Sequence, residues 1–230
     1  MKQLLTQAII LSRTDYGEAD RIITLLTPDY GKISLLAKGV RKIKSKLAGG
    51  IELFSVSQIT FIQGRGAIGR LVSTRLEKHY GHIIQDIDRV QLGYELIKLL
   101  HKTTEDNPES EYFDLLWQTF EALDDQKINL LLIKVWFEAQ LLKLSGQRPN
   151  LKTDTKGQAL NIQQKYDFIV SSMMFDAQAG GSFGANSIKF LRILFGSTKP
   201  KLLSQISDLE QMLAICDPLM GTMLNSYVRV

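Results

Sequence analysis

Cysteine is nearly absent from this sequence: Cys216 is the single one among 230 residues. One cysteine excludes a disulfide within the chain and a zinc site built from several thiolates. A chain without disulfides is typical of a reducing compartment, so we expect a cytoplasmic location. Cys216 itself lies in an apolar helical pattern, which favours a small buried side chain over a nucleophile.

Long apolar runs are missing as well. No stretch of about 18 uncharged apolar residues occurs, so we predict no membrane-spanning helix and no membrane partner. The apolar run at residues 8–11 is followed at once by Arg13 and Asp15, so we also expect no signal peptide. Proline and glycine, at 5 and 17 residues, are not in excess, which argues against long disordered segments.

The sequence has few signals of catalysis. Its three histidines have no metal-ligand spacing, and no carboxylate pair, catalytic triad or phosphate loop stands out. Residues 64–69 spell G-x-G-x-x-G, the dinucleotide-binding motif, which requires a helix after its glycines. The residues that follow alternate like a strand instead, so a tight hairpin explains the glycines better. We therefore predict that the protein is not an enzyme and has no cofactor or metal.

Acidic residues are absent between Asp29 and Glu52, and the most basic stretch of the chain lies in that gap. Residues 38–46, called the basic loop below, hold five cationic side chains in nine positions. Residues 1–80 carry a net charge of +7 and residues 81–230 a net charge of −3, so the positive charge belongs to the N-terminal third. A basic segment of this kind either binds a phosphate backbone or is only a solvated surface, and both interpretations stay open at this point.

Five short β-patterned segments fill the N-terminal 80 residues. In the fourth segment the apolar phase shifts near Gln58, which predicts a β-bulge there. Five strands in about 75 residues favour a small closed barrel, the oligonucleotide-binding (OB) fold. The predicted strands cover residues 4–13, 21–27, 32–38, 52–62 and 68–78, with turn signals at 15–17, 28–31 and 64–66.

From about residue 82 the apolar period becomes helical. Residues 147–186 interrupt it as a small, irregular, β-rich insertion, after which helical spacing resumes. The predicted fold class is therefore α+β, with an OB-fold domain over residues 1–80 and a mainly helical domain over 81–230. The main helices are expected over about 83–100, 112–123 and 128–144, the third of them buried and ended by Gly146 and Pro149.

Aromatic residues of the predicted barrel fall into two groups. Tyr16 and Tyr30 lie in predicted turns, where an exposed ring is placed to stack on a base. Phe54 and Phe61 lie on apolar strand phases, which predicts that they are core residues.

Short sequence blocks surround the basic loop in a fixed order with short gaps. They are DYGEADR at residues 15–21, GKIS at 31–34, AKGVR at 37–41, LAGG at 47–50 and ELF at 52–54. Together these blocks resemble the RecO family of bacterial recombination mediators. The helical remainder is compatible with that family in its length and in landmarks such as Gly146, Pro149 and Gly180-Gly181.

The resemblance implies an N-terminal OB barrel, a C-terminal helical domain and binding to single- and double-stranded DNA. It also implies annealing of complementary strands, and work with RecR to load RecA onto DNA coated by single-stranded DNA-binding protein (SSB). Some members bind the acidic C-terminal tail of SSB through the helical domain. A protein with this role is expected in the cytoplasm, associated with the nucleoid.

One family feature is missing from the irregular insertion. Many members carry a four-cysteine zinc module there, whereas residues 151–186 of this chain contain no cysteine. Asp154, Gly157 and Gly184 stand near the positions where ligands would be expected. We therefore predict that the insertion lacks the zinc cysteines, binds no structural zinc and is held by packing alone.

The DNA contacts expected from the charge pattern are cationic side chains of the barrel. They would neutralise several phosphates, so binding should tolerate any base sequence and weaken steeply with salt. Two strands on one cationic surface repel each other less, which promotes annealing without a covalent step. The predicted DNA-binding residues are Lys32, Lys38, Arg41, Lys42, Lys44, Lys46, Arg65, Arg70 and Arg75, with Tyr16 and Tyr30 as candidates for base stacking.

An alternative of a different class is a protein–protein adaptor. In that case the helical domain binds an acidic peptide and the basic loop is only a solvated surface. Charge reversal at Arg41, Lys42 and Lys44 separates the two hypotheses, because it removes DNA binding only if the loop is the binding site.

Overall fold

The β-patterned segments of the N-terminal part form five strands, as expected from their alternation. The computed structural model describes residues 2–64, 66–104, 109–196 and 198–227. The strand bounds are Gln3–Tyr16 (β1), Asp20–Thr27 (β2), Gly31–Ala37 (β3), Ser55–Ile62 (β4) and Ile68–His79 (β5).

These strands close into a barrel in the order β1-β2-β3-β5-β4. The first strand pairs antiparallel with both β2 and β4. The barrel closes through a short parallel ladder in which Ser34 to Leu36 of β3 pair with Ile68 to Arg70 of β5. A closed five-stranded barrel with this connectivity is the OB fold, so the predicted architecture of the N-terminal part is confirmed.

The barrel interior is filled by the inward phase of each strand. Phe61 and Leu71, exposed by 1% and 2%, contribute to it from β4 and β5. Val40 and Ile51, both buried in the same cluster, come from the connection between β3 and β4. Val40 lies within the basic loop near its start and Ile51 lies shortly after its end, so the loop is anchored to the core near both of its ends.

The bulge predicted near Gln58 is wrong. In β4 the ladder with β1 runs without a shift from Ile62 to Val56. The two register shifts of the β4–β5 ladder place the extra residues, Val72 and Glu77, in β5. The apolar phase of β4 changes because the strand is buried on both faces: Ile59 belongs to the barrel core, and Val56, on the opposite phase, is also fully buried.

Two helices join the barrel in one compact unit, Met1–Asp125. They are α1 (Ile87–Thr103) and α2 (Ser110–Asp124), and the carboxylate of Asp86 caps the first by accepting two backbone N–H bonds. The ring of Phe120 in α2 contacts Phe54 and Tyr80 at centroid distances of 5.6 Å each. The domain boundary expected at residue 80 concerns where the barrel can fold by itself. The grouping of contacts within the folded chain does not measure that, so the boundary stays a prediction.

The second unit, Gln126–Val230, is mainly helical. Its α3 (Leu130–Leu144) is buried on almost every side, as predicted from its apolar composition. Gly146 ends this helix with a φ of +76°, a left-handed conformation that glycine adopts without a steric cost. The other elements are β6 (Tyr166–Ile169), β7 (Met174–Ala177), α4 (Ala185–Leu194), α5 (Pro200–Leu203) and α6 (Leu209–Tyr227).

The irregular insertion is β-rich, as expected: β6 and β7 form an antiparallel hairpin. Cys216 is fully buried, and burial raises the pKa of its thiol to about 12, so the thiol stays protonated near neutral pH. No helix in the described part of the chain is both long and apolar enough to cross a membrane.

Candidate nucleic-acid interface

A groove of about 440 Å³ opens on the outer surface of β2 and β3. Ile22 and Leu36 lie opposite each other across these strands, and Arg70 of β5 lies beside Leu36 in the parallel ladder. The groove is thus formed where the strand 2–3 face meets the β1–β2 and β4–β5 connections, the region through which OB folds bind oligonucleotides. This barrel groove is lined by Tyr16, Ile22, Leu36, Ile62, Gly64, Ile68, Gly69 and Arg70.

Glycines shape one wall of the barrel groove. A Cβ atom at Gly69 would stand 2.8 Å from the carbonyl oxygen of Ile62, and one at Gly64 would stand 2.8 Å from that of Ile68. Both glycines therefore allow the backbones of β4 and β5 to approach closely at their connection. The G-x-G-x-x-G motif of residues 64–69 connects the antiparallel strands β4 and β5. The hairpin interpretation of its glycines is therefore confirmed, and a dinucleotide-binding motif, which requires a helix after the glycines, is excluded.

Exposed apolar side chains give the barrel groove its chemistry. The ring of Tyr16 is 56% exposed at the end of β1, and Ile68 is 46% exposed at the start of β5. Arg70 also lines the groove and adds a cationic residue to it. An exposed ring beside apolar side chains and a cation provides both stacking for a base and a partner for its phosphate.

The basic loop adjoins the barrel groove through the β1–β2 turn. The backbone N–H of Arg41 donates to the carbonyl of Ala19 at 2.9 Å, and that of Gly39 donates to the Asp20 carboxylate at 2.6 Å. This turn begins at Tyr16, which lines the groove. The loop side chains that face solvent are Lys38, Arg41, Lys42, Ile43, Lys44 and Lys46.

Two arginines meet at the same turn. The carboxylate of Asp15 accepts from Arg21 at 2.8 Å and lies 3.4 Å from a guanidinium nitrogen of Arg41. The hydrogen bond from Arg21 is the main reason why the pKa of Asp15 lies below its ordinary value. Sequence reasoning did not include Arg21, although its place in the DYGEADR block was a usable signal.

The remaining predicted cations are dispersed around the barrel. Arg75 is exposed on β5 opposite Gln58, away from the groove lining. Arg65 lies outside the described residues. Lys32 has another role, because its ammonium group donates to the carbonyls of His101 and Thr104 at the end of α1.

Tyr30 also differs from its expected role. Its ring packs against the barrel core and lies edge-on to Phe61, with 5.3 Å between the ring centroids. Its backbone N–H donates to the hydroxyl of Thr27, which fixes the turn. A ring held in this way is not free to stack on a base, so Tyr16 is the stacking candidate that the geometry favours.

The insertion where relatives are expected to hold zinc does not fit that metal here. Asp154 is buried, and its carboxylate accepts the backbone N–H groups of Lys156 and Gln158 at 2.9 and 2.8 Å. The ring of Phe175 is surrounded edge-on by three other aromatic rings, at centroid distances of 5.1 to 6.5 Å. Across the described residues, no three His, Cys, Asp or Glu side chains are placed to hold a metal ion.

A closed barrel of this topology, followed in the sequence by a helical unit, defines a class of proteins built on an oligonucleotide-binding fold. Comparison with protein families narrows that class. The family model described as Recombination protein O N terminal matches residues 1–80, and Recombination protein O C terminal matches residues 84–223. The chain therefore belongs to the RecO family, and the resemblance found in its sequence is confirmed.

Curated relatives carry the name DNA repair protein RecO. One from Dehalococcoides mccartyi is 35% identical over 177 residues, which is 76% of this chain and 66% of that protein. Relatives from Desulfatibacillum aliphaticivorans and Rhodopirellula baltica are 32% and 33% identical, over 66% and 62% of this chain and 60% and 53% of those proteins. The matched part of the chain thus spans roughly half to two thirds of the length of these relatives.

Proposed function

We propose that this chain binds DNA through the barrel groove and the basic loop and acts as a mediator of recombination repair. The observation that carries the proposal is the junction of the two at the β1–β2 turn, which begins at the exposed Tyr16 of the groove and is bonded through Ala19 and Asp20 to the basic loop. The chain belongs to the RecO family, whose curated members are named as DNA repair proteins, and this membership supports the same function.

The two parts of this surface have different chemistry. The lysines of the basic loop attract the phosphates of any nucleic acid, whether single- or double-stranded. The barrel groove accepts bases through stacking and apolar contact, which only an unpaired strand offers. A single strand held in the groove beside a cationic loop can therefore meet a second strand at reduced electrostatic repulsion, and annealing requires no covalent step or cofactor.

The partners belong to the proposal as well. In the family role, the protein works with RecR to load RecA onto SSB-coated single-stranded DNA, in the cytoplasm and near the nucleoid. A groove of about 280 Å³ in the helical unit is lined by one cation, Lys189, one carboxylate, Asp208, and the apolar Phe190, Ile193, Ile206 and Met212. Lys189 offers a partner for a peptide carboxylate and the apolar side chains offer a partner for an apolar chain end, so this groove is our candidate for the SSB tail.

The test is a salt titration of binding to a fluorescent oligo-dT by the full chain. For single strands, log K should fall with log[salt] by about 0.7 for each phosphate neutralised. The double variant Lys42→Glu, Lys44→Glu should bind at least about tenfold more weakly and with a shallower slope. Lys152→Glu, Lys165→Glu is the matched control: it makes the same charge change at exposed positions of the second unit and should leave affinity within about twofold.

The adaptor hypothesis gives the opposite pattern. If the basic loop is only a solvated surface, the loop variant and its control will bind and anneal DNA alike. That result would remove the loop from the binding site, whereas absence of binding by the unaltered chain would refute the DNA-binding proposal altogether.

A further inference from the structure

The carboxylate of Asp15 stands between two guanidinium groups. One oxygen accepts from Nε of Arg21 at 2.8 Å, and the other lies 3.4 Å from a terminal nitrogen of Arg41. One anion with two oxygens shared between two arginines has the geometry in which a phosphodiester group is bound. The site is reachable from solvent, because the side chain of Asp15 is 52% exposed.

We propose that Arg21 and Arg41 form a phosphate clamp for single-stranded DNA and that Asp15 occupies this clamp until a phosphate displaces it. The proposal rests on the DNA-binding function proposed above and adds a residue, Arg21, and an internal competitor to it. Asp15 of β1 and Arg21 of β2 are directly paired, so the clamp lies at the β1–β2 turn to which the basic loop is bonded.

The alternative role for Asp15 is to fasten the basic loop to the barrel. Other contacts already do so: the backbone N–H groups of Arg41 and Gly39 bond to Ala19 and Asp20, and Val40 is buried in the core. The loop therefore keeps its position when the carboxylate is lost. The hydrogen bond from Arg21 lowers the pKa of Asp15, which keeps this residue an anion at neutral pH.

Displacement has a consequence for affinity. A phosphate must replace an existing ion pair rather than enter an open site, so Asp15 weakens DNA binding. Removing its charge should free both arginines at once. The same loss of charge at a neighbouring position should act only through long-range electrostatics, which salt screens.

The experiment compares Asp15→Asn with Glu18→Gln in the full chain. Glu18 is exposed in the same turn and gives the matched charge change. At about 0.15 M salt we expect Asp15→Asn to bind oligo-dT roughly threefold to tenfold more tightly, and Glu18→Gln to stay within about twofold of the unaltered chain. The salt slope of Asp15→Asn should steepen by up to about 0.7, because in the unaltered chain the displaced carboxylate takes up a cation that offsets the one released from the phosphate.

A double variant tests whether the gain passes through the clamp. Adding Arg21→Gln to Asp15→Asn should cancel both the tighter binding and the steeper slope. Equal effects of Asp15→Asn and Glu18→Gln, or weaker binding by Asp15→Asn with an unchanged circular-dichroism spectrum, would overturn the clamp while leaving the proposed function intact. Absence of binding by the unaltered chain overturns both.

Discussion

The ring of Phe54 lies against Gly93 of α1, so close that a Cβ atom at position 93 would stand 2.5 Å from a ring carbon. Phe54 itself has a φ of +55°, which is unusual for a residue with a bulky side chain. Its ring also lies edge-on to Tyr94 and Phe120. The contact between the barrel and the helices thus depends on two residues. Phe54 supplies the ring and has a strained backbone conformation, and Gly93, which has no side chain, leaves room for that ring.

Substitution of this glycine should therefore destabilise the protein. We expect Gly93→Ala to lower the free energy of unfolding by about 1 to 3 kcal/mol, because the added methyl group overpacks a fully buried site. Gly221→Ala is the matched helical control, since nothing lies within 4 Å of a Cβ there; it should raise stability by about 0.5 to 1 kcal/mol. Urea denaturation of both variants measures the change in the free energy of unfolding. A change in the same direction in both variants would contradict the packing argument.

Lys32 should matter for stability rather than for DNA binding. Its ammonium group lies 2.5 Å from the carbonyl oxygen of Thr104 and 3.1 Å from that of His101. Removing the charge in Lys32→Met should cost about 1 to 2 kcal/mol, because it leaves helix-terminal carbonyls without this donor. Affinity for oligo-dT should change by less than about twofold. A loss of affinity as large as that of the Lys42, Lys44 variant would restore Lys32 to the DNA-binding surface.

Glu138 should make stability depend on pH. Burial raises the pKa of this carboxyl group to about 7, and the nearby ammonium group of Lys134 opposes the shift only in part. The unfolded chain loses this proton near pH 4.3, so the native state is favoured at low pH, and stability falls as the pH rises from there to about 7.

Replacement of Glu138 by a neutral amide tests whether stability falls as the pH rises. Between pH 5 and pH 8 the unaltered chain should lose about 2 kcal/mol through Glu138, and Glu138→Gln should remove that loss. Glu95→Gln, at an exposed position, should keep it. Denaturation at both pH values is the measurement, and a pH dependence unchanged in Glu138→Gln would refute the assignment.

The insertion should be stable without metal. Chelator treatment should leave the melting temperature unchanged, and metal analysis should find less than one equivalent of zinc. Phe175→Ala should cost about 3 to 5 kcal/mol, because Phe175 is fully buried among aromatic rings. If the protein contains one equivalent of zinc, and if the chelator removes it and lowers the melting temperature, then zinc and not the aromatic cluster organises the segment.

Fragments test the domain boundary predicted at residue 80. A fragment of residues 1–125 keeps the contacts of Phe120 with Phe54 and Tyr80, whereas residues 1–80 expose both rings to water. Burying one large aromatic side chain contributes about 1.5 to 3 kcal/mol, so the shorter fragment should be less stable by at least about 3 kcal/mol. Equal stability of the two fragments would show that the barrel folds independently at residue 80.

The strands and helices were predictable because their determinants are local. Alternation over seven to fourteen residues predicts a half-buried strand, and the apolar composition of α3 predicts a buried helix, whatever the rest of the chain does. The resemblance of the blocks around the basic loop to the RecO family implied the same barrel. The bulge near Gln58 was wrong because a phase change can also arise from burial on both faces, which depends on the rest of the folded chain.

The sequence by itself determined the α+β class, the five strands and the positive charge of the basic loop, since each follows from residue types at near positions. Only the tertiary structure decided which side chains are available to a ligand. Tyr16 and Tyr30 occupy similar turns, yet one ring is exposed beside a groove and the other packs on Phe61. Lys32 and Arg41 are both cations, yet one is bonded to the end of a helix and the other shares a carboxylate with Arg21. Those differences depend on contacts between distant parts of the chain, which no local pattern encodes.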